Sequence, residues 1–545
     1  MVLLLWLSPG VTAVLSNISL RNYSDNALVH VSFTKPLTSD DYTCSKTKRC
    51  KTGCCGPIDS TTGIGNCGYG PEFCGKGCSS DCGRKSECDA GWGREWSTAS
   101  TCPLNVCCSK FGFCGTTPSF CGTATVPSPE CNGKSAHKRT VGYYEGWNLE
   151  HACGKMAPDQ IPLGYYTHLN FAFAYIDPQT FRIAPMNNHT ASLYKAVTGL
   201  KRKQSKLEVW IAIGGWDMND PGHTQYTFSD LAASGTAQDA FFNSLLSFMQ
   251  SNDFDGVDLD WEYPVSEDHG GRAGDFVNFV TLLQRLRKRL NQSGRSYGVS
   301  ITLPASYWYL RGFDIANLER YVDFFNVMTY DIHGTWDTMN RDSPYAAYAH
   351  TNLTEINQTL TLLWRNNINP ARINLGLGFY GRSFTMKDPR CMAPGCLFTA
   401  GGRCGECTAT SGVLSNTEIQ KIVKENITGA NVSFYKEDAV KVLTWDRDQW
   451  VSFDDVETLK LKLEFANRRC LGGTMAWAVD LDRDGMLIEA LGTAMVAKKK
   501  AVWNEAMHHW LIPEGGSVDV DDVLGWKRKQ NNVQQDTGSK HKDLL

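Results

Sequence analysis

Eight short apolar runs alternate with longer segments between residues 139 and 497, and this alternation restricts the fold more than any other feature of the sequence. Some of the intervening segments, such as 237–251 and 276–291, have the apolar spacing and the length of helices. Eight strand-then-helix units over roughly 250 or more residues are what a closed (β/α)8 barrel requires. We therefore predict an α/β fold of this class, a TIM barrel, over residues 139–497. The eight predicted strands are 140–144, 168–173, 208–213, 256–260, 297–303, 324–328, 373–378 and 473–479.

One gap between the predicted strands is too long for a single helix. Residues 379–471 separate the seventh run from the eighth and contain a further strand-like run at 440–445. We therefore predict an inserted α+β subdomain at about 380–455, followed after the barrel by a polar tail at 498–545 without recognisable chemistry. Four cysteines lie in the gap: Cys391, Cys396, Cys404 and Cys407.

The cysteines are concentrated in the N-terminal part of the chain. Fifteen of the 21 lie between Cys44 and Cys131, in segments that are too small to form a sizeable core. Disulfides in an oxidising compartment explain such a cluster better than zinc, because it contains no His and no repeated Cys-x-x-Cys pair. We predict two small disulfide-rich modules, 40–84 and 85–133. The odd total leaves at least one free thiol, and we expect it to be Cys470, which precedes an apolar run.

The first residues and the overall charge indicate an exported soluble protein. The apolar run 2–7 and the small residues at 11–13 are typical of a signal peptide, which we place at 1–16. A net charge of −3 gives no sign of a nucleic-acid or membrane surface, so we expect a secreted monomer without either partner. Eight Asn-x-Ser/Thr sequons add modest support for secretion: Asn17, Asn22, Asn188, Asn291, Asn352, Asn357, Asn426 and Asn431.

The fourth predicted strand carries three acidic residues on one face. Asp258, Asp260 and Glu262 alternate along the strand and lie about 7 Å apart at Cα for each two-residue step. Buried neighbouring carboxyl groups repel one another and lose hydration, so at least one pKa rises. A carboxylic acid with a raised pKa can donate a proton near neutral pH, as a glycosidase requires. The residues of the opposite face are apolar, which argues against a solvated acidic loop: Val257, Leu259 and Trp261.

A metal site is another interpretation of this segment, because three carboxylates could bind an ion, but no His accompanies them. Glu262 is the last residue of the run, and active sites of such barrels lie at the carboxyl ends of the strands. We therefore predict catalysis rather than metal binding. Asp255 falls on the opposite face by alternation, so we assign it a structural role.

The segment Asp255-Gly-Val-Asp-Leu-Asp-Trp-Glu262 resembles the Asp-Gly-x-Asp-x-Asp-x-Glu signature of the family 18 glycoside hydrolases and matches it at every fixed position. The resemblance covers about residues 139–496 and is strongest to fungal chitinases of the killer-toxin type. Other sequence motifs of the family lie at the ends of the third, sixth and eighth predicted strands. They are Trp216 in Ile-Gly-Gly-Trp, Met328, Tyr330 and Asp331 in Met-Thr-Tyr-Asp, and Trp477.

What the resemblance implies is a retaining, substrate-assisted reaction without a metal or cofactor. Glu262 would protonate the glycosidic oxygen while the 2-acetamido carbonyl of the substrate attacks C1 and forms an oxazolinium ion. Asp260 would hold the acetamido N–H, and Asp258 would share a proton with Asp260. The remaining implied roles are hydrogen bonds to the sugar from Tyr330 and Asp331, a floor under the −1 sugar from Trp477, and further substrate contacts from Tyr263, Trp216, Met328 and Tyr380.

Several of these side chains also have a simpler interpretation. Trp477 could be a core aromatic residue, although its place at a strand end among small residues favours the floor. Tyr330 and Asp331 alone could be an ordinary strand cap. A place in the packed core of the barrel fits Tyr143, Phe171 and Tyr380 as well as a place in the lining of the cleft.

The second cysteine module resembles the hevein-like chitin-binding fold. Its Cys-Cys-Ser-Lys-Phe-Gly-Phe-Cys segment carries the spacing of that family, and the disulfide cysteines of this core are Cys102, Cys107, Cys108, Cys114 and Cys121. The family's sugar platform, a Ser and three aromatic residues, is matched by Ser109, Phe111, Phe113 and Phe120. A final cysteine after Cys131 is missing, and Cys153 could supply it. The alternative is a purely structural knot.

The first cysteine module shares the cysteine skeleton but not the platform. Only Phe73 matches one of the aromatic residues, so we expect a divergent copy with weak or no sugar binding.

For the whole chain we predict an endo-acting chitinase with chitin or chitooligosaccharides as its partner. A non-catalytic chitin lectin is the first alternative, and the presence of Glu262 argues against it. An endo-β-N-acetylglucosaminidase acting on N-glycans is the second, and the chitin-binding module argues against it.

Overall fold

The computed structural model describes residues 42–339, 345–427 and 429–492. The expected signal peptide at 1–16, the sequons at Asn17 and Asn22 and the tail at 498–545 lie outside the described residues. Among the described residues, those up to Ser100 together with Lys110–Phe113 form one compact unit, and Thr101–Ser109 together with those from Cys114 onward form another. No helix among the described residues has the length and apolarity needed to span a bilayer.

Eight parallel strands close into a barrel in the larger unit, as the sequence predicts. The ring runs β1-β14-β7-β6-β5-β4-β3-β2, and the pairing of β1 with β2 closes it. Predicted and observed strands agree to within three residues at every end; the eighth predicted run extends two residues too far. The strands are β1 (Arg139–Glu145), β2 (His168–Ile176), β3 (Glu208–Gly214), β4 (Gly256–Asp260), β5 (Gly298–Pro304), β6 (Phe324–Met328), β7 (Ile373–Gly378) and β14 (Gly473–Trp477).

Helices follow the strands and cover the outside of the barrel. They bury apolar stripes: α3, for example, buries Phe241, Leu245 and Met249, one helical turn apart. An Asn, Ser or Asp side chain caps the first turn of several of them. The main helices are α1 (Asn188–Thr198), α2 (Thr227–Ala233), α3 (Gly235–Asn252), α4 (Asp275–Asn291), α5 (Leu353–Trp364), α6 (Asn416–Lys424) and α7 (Val456–Arg468).

The predicted insertion is an antiparallel sheet with one helix, α6, between β7 and β14. Its core is aromatic, with Phe384, Phe398 and Trp450 packed together. The order in the sheet is β9-β8-β13-β12-β11, with β10 also paired to β8. The strands are β8 (Tyr380–Met386), β9 (Phe398–Gly401), β10 (Val413–Ser415), β11 (Asn431–Tyr435), β12 (Val440–Trp445) and β13 (Gln449–Phe453).

The smaller unit is held by disulfides around very short strands, Thr43–Cys44, Cys54–Cys55 and Gly65–Gly68. Its four internal bridges belong to the first cysteine module: Cys44–Cys55, Cys50–Cys67, Cys54–Cys74 and Cys78–Cys82. In the larger unit, the second module forms Cys102–Cys114 and Cys107–Cys121. Cys88 and Cys108 are also disulfide-bonded.

Two cysteine predictions are wrong. Cys470 is not the free thiol, because it bonds Cys131 across 339 residues of sequence with a Cα–Cα distance of 5.3 Å. Cys153 does not complete the second module either, because it bonds Cys407 of the insertion. The free thiol is Cys404, which is exposed. Spacing along the chain does not reveal such pairs, since the folding of the barrel brings them together.

A buried ion pair joins α7 to the end of the insertion sheet. The ammonium of Lys462 lies 2.5 and 2.6 Å from the two carboxylate oxygens of Asp454, and both side chains are buried. Hydroxyl groups of Thr351 and Thr458 donate to the same carboxylate. Asp454 is therefore fully paired only while the lysine is present.

We expect Lys462→Ala to lower the free energy of unfolding by about 3–5 kcal/mol, because it leaves the Asp454 charge buried without its partner. Chemical denaturation followed by tryptophan fluorescence measures the change. Lys460→Ala, on the exposed side of the same helix, is the matched control and should change stability by about 0.5 kcal/mol or less. Equal effects of the two substitutions would contradict the assignment.

Candidate active site

Strand β4 directs three carboxyl groups into the barrel at its carboxyl end. Asp258 is fully buried, Asp260 is 2% exposed and Glu262, two residues after the strand, is 9% exposed. The strand is central, paired with β3 on one side and β5 on the other, so the positions of all three are set by the barrel. The sequence prediction placed them on one face, and the structure brings them together there.

Asp258, the deepest of the three, is surrounded by hydrogen-bond donors. Its carboxylate accepts bonds from the Tyr143 hydroxyl at 2.6 Å and the Asn326 amide at 3.1 Å, and from the Ser300 hydroxyl. Burial raises the pKa of Asp258, and these three donors oppose the rise because they stabilise the charged form. Asp258 is thus the carboxyl group of the three with the most support for a negative charge.

The two outer carboxyl groups are poorly compensated. Burial and the neighbouring charge of Asp258 raise the pKa of Asp260 to about 7, while a hydrogen bond from Thr302 opposes the rise. Burial and the charge of Asp260 raise the pKa of Glu262 well above its usual range. Tyr263 hydrogen-bonds the Glu262 carboxyl group and lowers this pKa in part. Glu262 therefore favours its protonated form more than an exposed glutamate does, as a general acid must.

Aromatic rings form a wall beside the carboxyl groups. Trp477, the last residue of β14, stacks on Phe173 with ring centroids 5.7 Å apart and lies 5.4 Å from Tyr143. Trp147 packs against both Trp477 and Phe173. Stacked apolar faces of this kind suit the C–H face of a pyranose ring. Trp147 and Phe173 were not predicted from the sequence, because each is an isolated aromatic residue in a loop or an apolar strand.

The insertion supplies a charged group to the end of β6. Asp331 accepts hydrogen bonds from the Tyr380 hydroxyl at 2.6 Å and from the Arg382 guanidinium, whose Nε is 2.7 Å away. Burial alone would raise the pKa of Asp331, but Arg382 and His350 outweigh burial and lower it. Asp331 is therefore an anion. Sequence reasoning missed Arg382, which lies 51 residues further along the chain.

The other predicted site residues are distributed as follows. Tyr330 is buried, its hydroxyl 3.7 Å from the Met475 sulfur, and Met328 packs on the same core as Trp477. Trp216 is exposed at the rim after β3. Phe171 contacts Tyr144 and Tyr194 instead of the carboxyl groups.

Asp255 takes part in a structural network at the other end of β4. Its carboxylate contacts Lys201 at 3.0 Å and Arg295 at 2.7 Å and accepts a hydrogen bond from the Val209 amide. This is the role that alternation along the strand indicates.

Two of the four predicted platform residues of the second cysteine module are exposed rings in the smaller unit. Phe111 is 61% exposed, under the Lys110 ammonium, and Phe113 is 37% exposed with Tyr69 against it edge-on. In the larger unit, Ser109 is buried and Phe120 packs over Gly115. In the first module, Phe73 covers Gly56 and Gly68 and so has a packing role.

The fold and the carboxylate strand define a barrel hydrolase of the glycosidase class, and comparisons with known proteins identify the family. Residues 139–482 match the model of glycosyl hydrolases family 18, and residues 92–132 match the model of chitin recognition protein. The chain belongs to family 18 of the glycosyl hydrolases, and it carries a chitin recognition module.

Individual relatives agree with this assignment. The chain is similar to the secreted chitinase LysM12 of Penicillium expansum, with 31% identity over 420 residues, 70% of this chain and 27% of that protein. It is similar to the killer toxin subunits alpha/beta of Kluyveromyces lactis, with 32% identity over 70% of this chain and 33% of that protein. The chain thus spans about a quarter to a third of the length of these curated relatives.

Among solved structures, the chain is similar to catalytic domain 2 of the Ostrinia furnacalis Group II chitinase. The TM-score is 0.59 at 29% identity, covering 66% of this chain and 96% of that one. This agreement covers about two thirds of the chain, so the family assignment and the fold support each other.

The raised pKa values make the stability of the fold depend on pH. The pKa of Asp260 is about 7 in the folded chain, against about 3.9 in an unfolded one. The folded state therefore binds more protons than the unfolded state between these values, and stability that is present in full below about pH 4 is lost as the pH rises towards 7.

The thermal midpoint of the wild type should decrease between about pH 5 and pH 7. We expect this decrease to be a few degrees smaller in Asp260→Asn, because the substitution removes one titrating group. Differential scanning calorimetry at several pH values measures it. Asp239→Asn, on the exposed surface of α3, is the control and should leave the slope unchanged. A slope identical in all three proteins would contradict the raised pKa of Asp260.

Proposed function

We propose that this chain hydrolyses the β-1,4 bonds of chitin internally, by a retaining, substrate-assisted reaction with Glu262 as acid and base. The observation that carries the proposal is the carboxyl series of β4: Asp258 at the bottom accepts hydrogen bonds from Tyr143, Ser300 and Asn326, and Glu262 at the rim has its pKa raised by burial and the charge of Asp260. Trp477, Trp147 and Phe173 lie beside this series as a wall for sugar rings. The similarity to chitinases supports the same polymer as substrate.

Glu262 donates its proton to the glycosidic oxygen in the first step. Burial raises the pKa of the carboxyl group and so favours its protonated form, and the hydrogen bond from Tyr263 orients it. After the leaving sugar has departed, the Glu262 carboxylate accepts a proton from the attacking water. The proton is thus taken and returned by one residue, and no protein nucleophile is needed.

Asp260 assists the 2-acetamido group, which is the nucleophile. A carboxylate at this position accepts the acetamido N–H, and its negative charge stabilises the positive charge that develops on the oxazolinium ion. Asp260 has a pKa of about 7, so it can share its proton with Asp258 or release it as that positive charge appears. Burial and the charges of Asp260 and Glu262 raise the pKa of the Tyr330 hydroxyl, so this hydroxyl keeps its proton. It donates a hydrogen bond to the acetamido oxygen.

Trp477 supports the −1 sugar from below, and Asp331 fixes that sugar from the side. Asp331 remains charged because Arg382 is bonded to it in two places. The insertion that carries Arg382 is therefore part of the substrate cleft. This feature favours a long polymer over the short core of an N-glycan.

The chitin recognition module would anchor the enzyme on its substrate. Phe111 and Phe113 present apolar faces in the smaller unit, and pyranose rings that stack on such faces bind a polysaccharide without cleaving it.

We also propose that the protein is secreted. A chain in which 20 of 21 cysteines are in disulfides requires an oxidising compartment.

We expect Glu262→Gln to lower kcat on a chitin hexamer by about a thousandfold or more, with little change in thermal midpoint, because the amide cannot donate the proton. Release of reducing ends measures the reaction.

Wild type should not cut oligomers of unacetylated glucosamine at all, since they lack the acetamido nucleophile. Cleavage of these oligomers at a comparable rate would contradict the mechanism. Cleavage of a high-mannose glycoprotein but not of chitin oligomers would favour the N-glycan alternative, and sugar binding without turnover would favour a lectin.

We expect Phe111→Ala to weaken binding to insoluble chitin about five- to tenfold, because a stacking face is lost. Depletion from solution over a chitin concentration series measures the binding, and kcat on a soluble hexamer should not change. Tyr42→Ala is the control, because Tyr42 is another exposed ring (54%) in the same unit and is not part of the platform motif. Equal binding by both variants would favour the alternative in which the second cysteine module is a purely structural knot that does not bind sugar.

A further inference from the structure

An aromatic ring of the first cysteine module lies against the predicted sugar platform of the second. The ring of Tyr69 meets that of Phe113 edge-on, with the centroids 5.5 Å apart and the planes at 74°. Both rings belong to the smaller unit. Tyr69 lies outside residues 92–132, which match the model of chitin recognition protein, so the match assigns no role to this ring.

Two glycines allow the loops that carry these rings to approach each other around Trp92. Gly70 follows Tyr69 directly, and Gly112 precedes Phe113. Both glycines have a positive φ, +83° and +78° respectively. A Cβ at Gly70 would meet Cδ2 of the Trp92 ring at 2.7 Å, and a Cβ at Gly112 would meet Cζ3 of the same ring at 3.0 Å. Trp92 therefore lies against both loops, and each of the two positions requires glycine.

Hydrogen bonds hold the loops of the second module in place. The Asp89 carboxylate accepts bonds from the three backbone amides of residues 91–93, at 2.8, 2.8 and 2.9 Å. The carbonyl oxygen of Gly112 accepts a bond from the backbone amide of Glu87 at 3.0 Å. The indole between the two modules and the loop that carries the platform are therefore both fixed through their backbone.

The turn after Tyr69 in the first module is held in the same way. The backbone amide of Cys74 donates to the carbonyl oxygen of Gly70 at 2.8 Å. Cys74 is itself tied to Cys54 by a disulfide. The contact between the two rings thus joins two loops that are each fixed within their own module.

The edge-on contact leaves both rings open to a ligand in part. Phe113 is 37% exposed, and Tyr69 is half-buried. Edge-on packing covers the edge of one ring of the pair, so aromatic surface of both rings remains beside the exposed side of Phe113. A sugar chain with one unit stacked on Phe113 can bring its next unit to Tyr69, because the two centroids are only 5.5 Å apart.

The first module has no complete platform of its own. Of its residues at platform positions only Phe73 is aromatic, and this ring packs over Gly56 and Gly68. Tyr69 lies instead beside the platform of the other module. A role of the first module in sugar binding therefore depends on Tyr69.

We propose that Tyr69 is a sugar-binding residue, which adds a ring of the first cysteine module to the Phe113 face of the second, so that one sugar chain contacts both modules. The proposal rests on the anchoring of the enzyme on chitin proposed above. Its ligand is a run of adjacent β-1,4-linked N-acetylglucosamine units, one stacked on Phe113 and the next against Tyr69. The contact is made by the aromatic ring, so phenylalanine can replace the tyrosine.

Adsorption of the full chain to insoluble chitin tests the proposal, in a Glu262→Gln background so that the polymer is not consumed. We expect Tyr69→Ala to weaken binding about three- to fivefold, because one aromatic contact with the sugar chain is lost. Tyr69→Phe keeps the ring and should bind as tightly as the parent protein. Tyr69→Leu, which has bulk but no ring, should behave like the alanine variant and serves if Tyr69→Ala does not fold. Tyr42→Ala, which removes an exposed ring of the same unit, is the matched control and should not change binding.

A double-mutant cycle separates direct contact of Tyr69 with the sugar from mere support of Phe113. If Tyr69 binds the sugar itself, adding Tyr69→Ala to Phe113→Ala should weaken binding by a further factor of about two or more. If Tyr69 only holds Phe113 in place, the second substitution changes nothing further, and the proposal is overturned. Unchanged binding in Tyr69→Ala, or a Tyr69→Phe variant as weak as Tyr69→Ala, would also overturn it.

Phe111→Ala in the same background distinguishes failure of this proposal from failure of the proposed function. If neither Phe111→Ala nor Tyr69→Ala changes adsorption, the anchoring role of the chitin recognition module is wrong, and the role of Tyr69 is wrong with it. If Phe111→Ala weakens adsorption and Tyr69→Ala does not, only the role of Tyr69 is wrong. Hydrolysis is measured separately by the release of reducing ends, so its absence would leave the adsorption test intact.

Discussion

Burial of three carboxyl groups on one barrel strand is the constraint on which the rest of this site depends. A parallel barrel has a packed interior, so groups on β4 that point inward lose water. The fold compensates the innermost group most fully, with hydroxyl and amide donors from β1, β5 and β6. The pKa values of the two outer groups are therefore raised. The acid that the proposed reaction requires is a consequence of this incomplete compensation, at some cost in stability as the pH rises.

The elements around the barrel complete the site from its rim. The insertion brings Arg382 to Asp331 and lowers the pKa of that carboxyl group, whereas burial and the charge of Asp260 raise the pKa of Glu262. Two carboxyl groups in one cleft thus differ in pKa because one has a guanidinium partner and the other lies beside another carboxyl group. The loop after β3 adds the exposed ring of Trp216 at the rim.

Much of this arrangement is predictable from local patterns. Apolar runs of strand length gave the eight barrel strands to within a few residues, and alternation gave the shared face of Asp258, Asp260 and Glu262 as well as the separate position of Asp255. Those predictions depend on neighbours in the sequence, where period and side-chain direction are linked. The prediction for Cys470 failed for the converse reason, because its partner Cys131 lies 339 residues away.

The class of barrel, the place of the insertion and the acids on its fourth strand are predictable from the sequence, because strand period and strand length are local properties. The folded structure was needed to show which of the acids is compensated, that Arg382 meets Asp331, that Trp147 and Phe173 pack against Trp477 and which cysteine remains free. Each of these depends on residues from different strands or loops. They become neighbours only when the barrel closes, so no spacing along the chain records them.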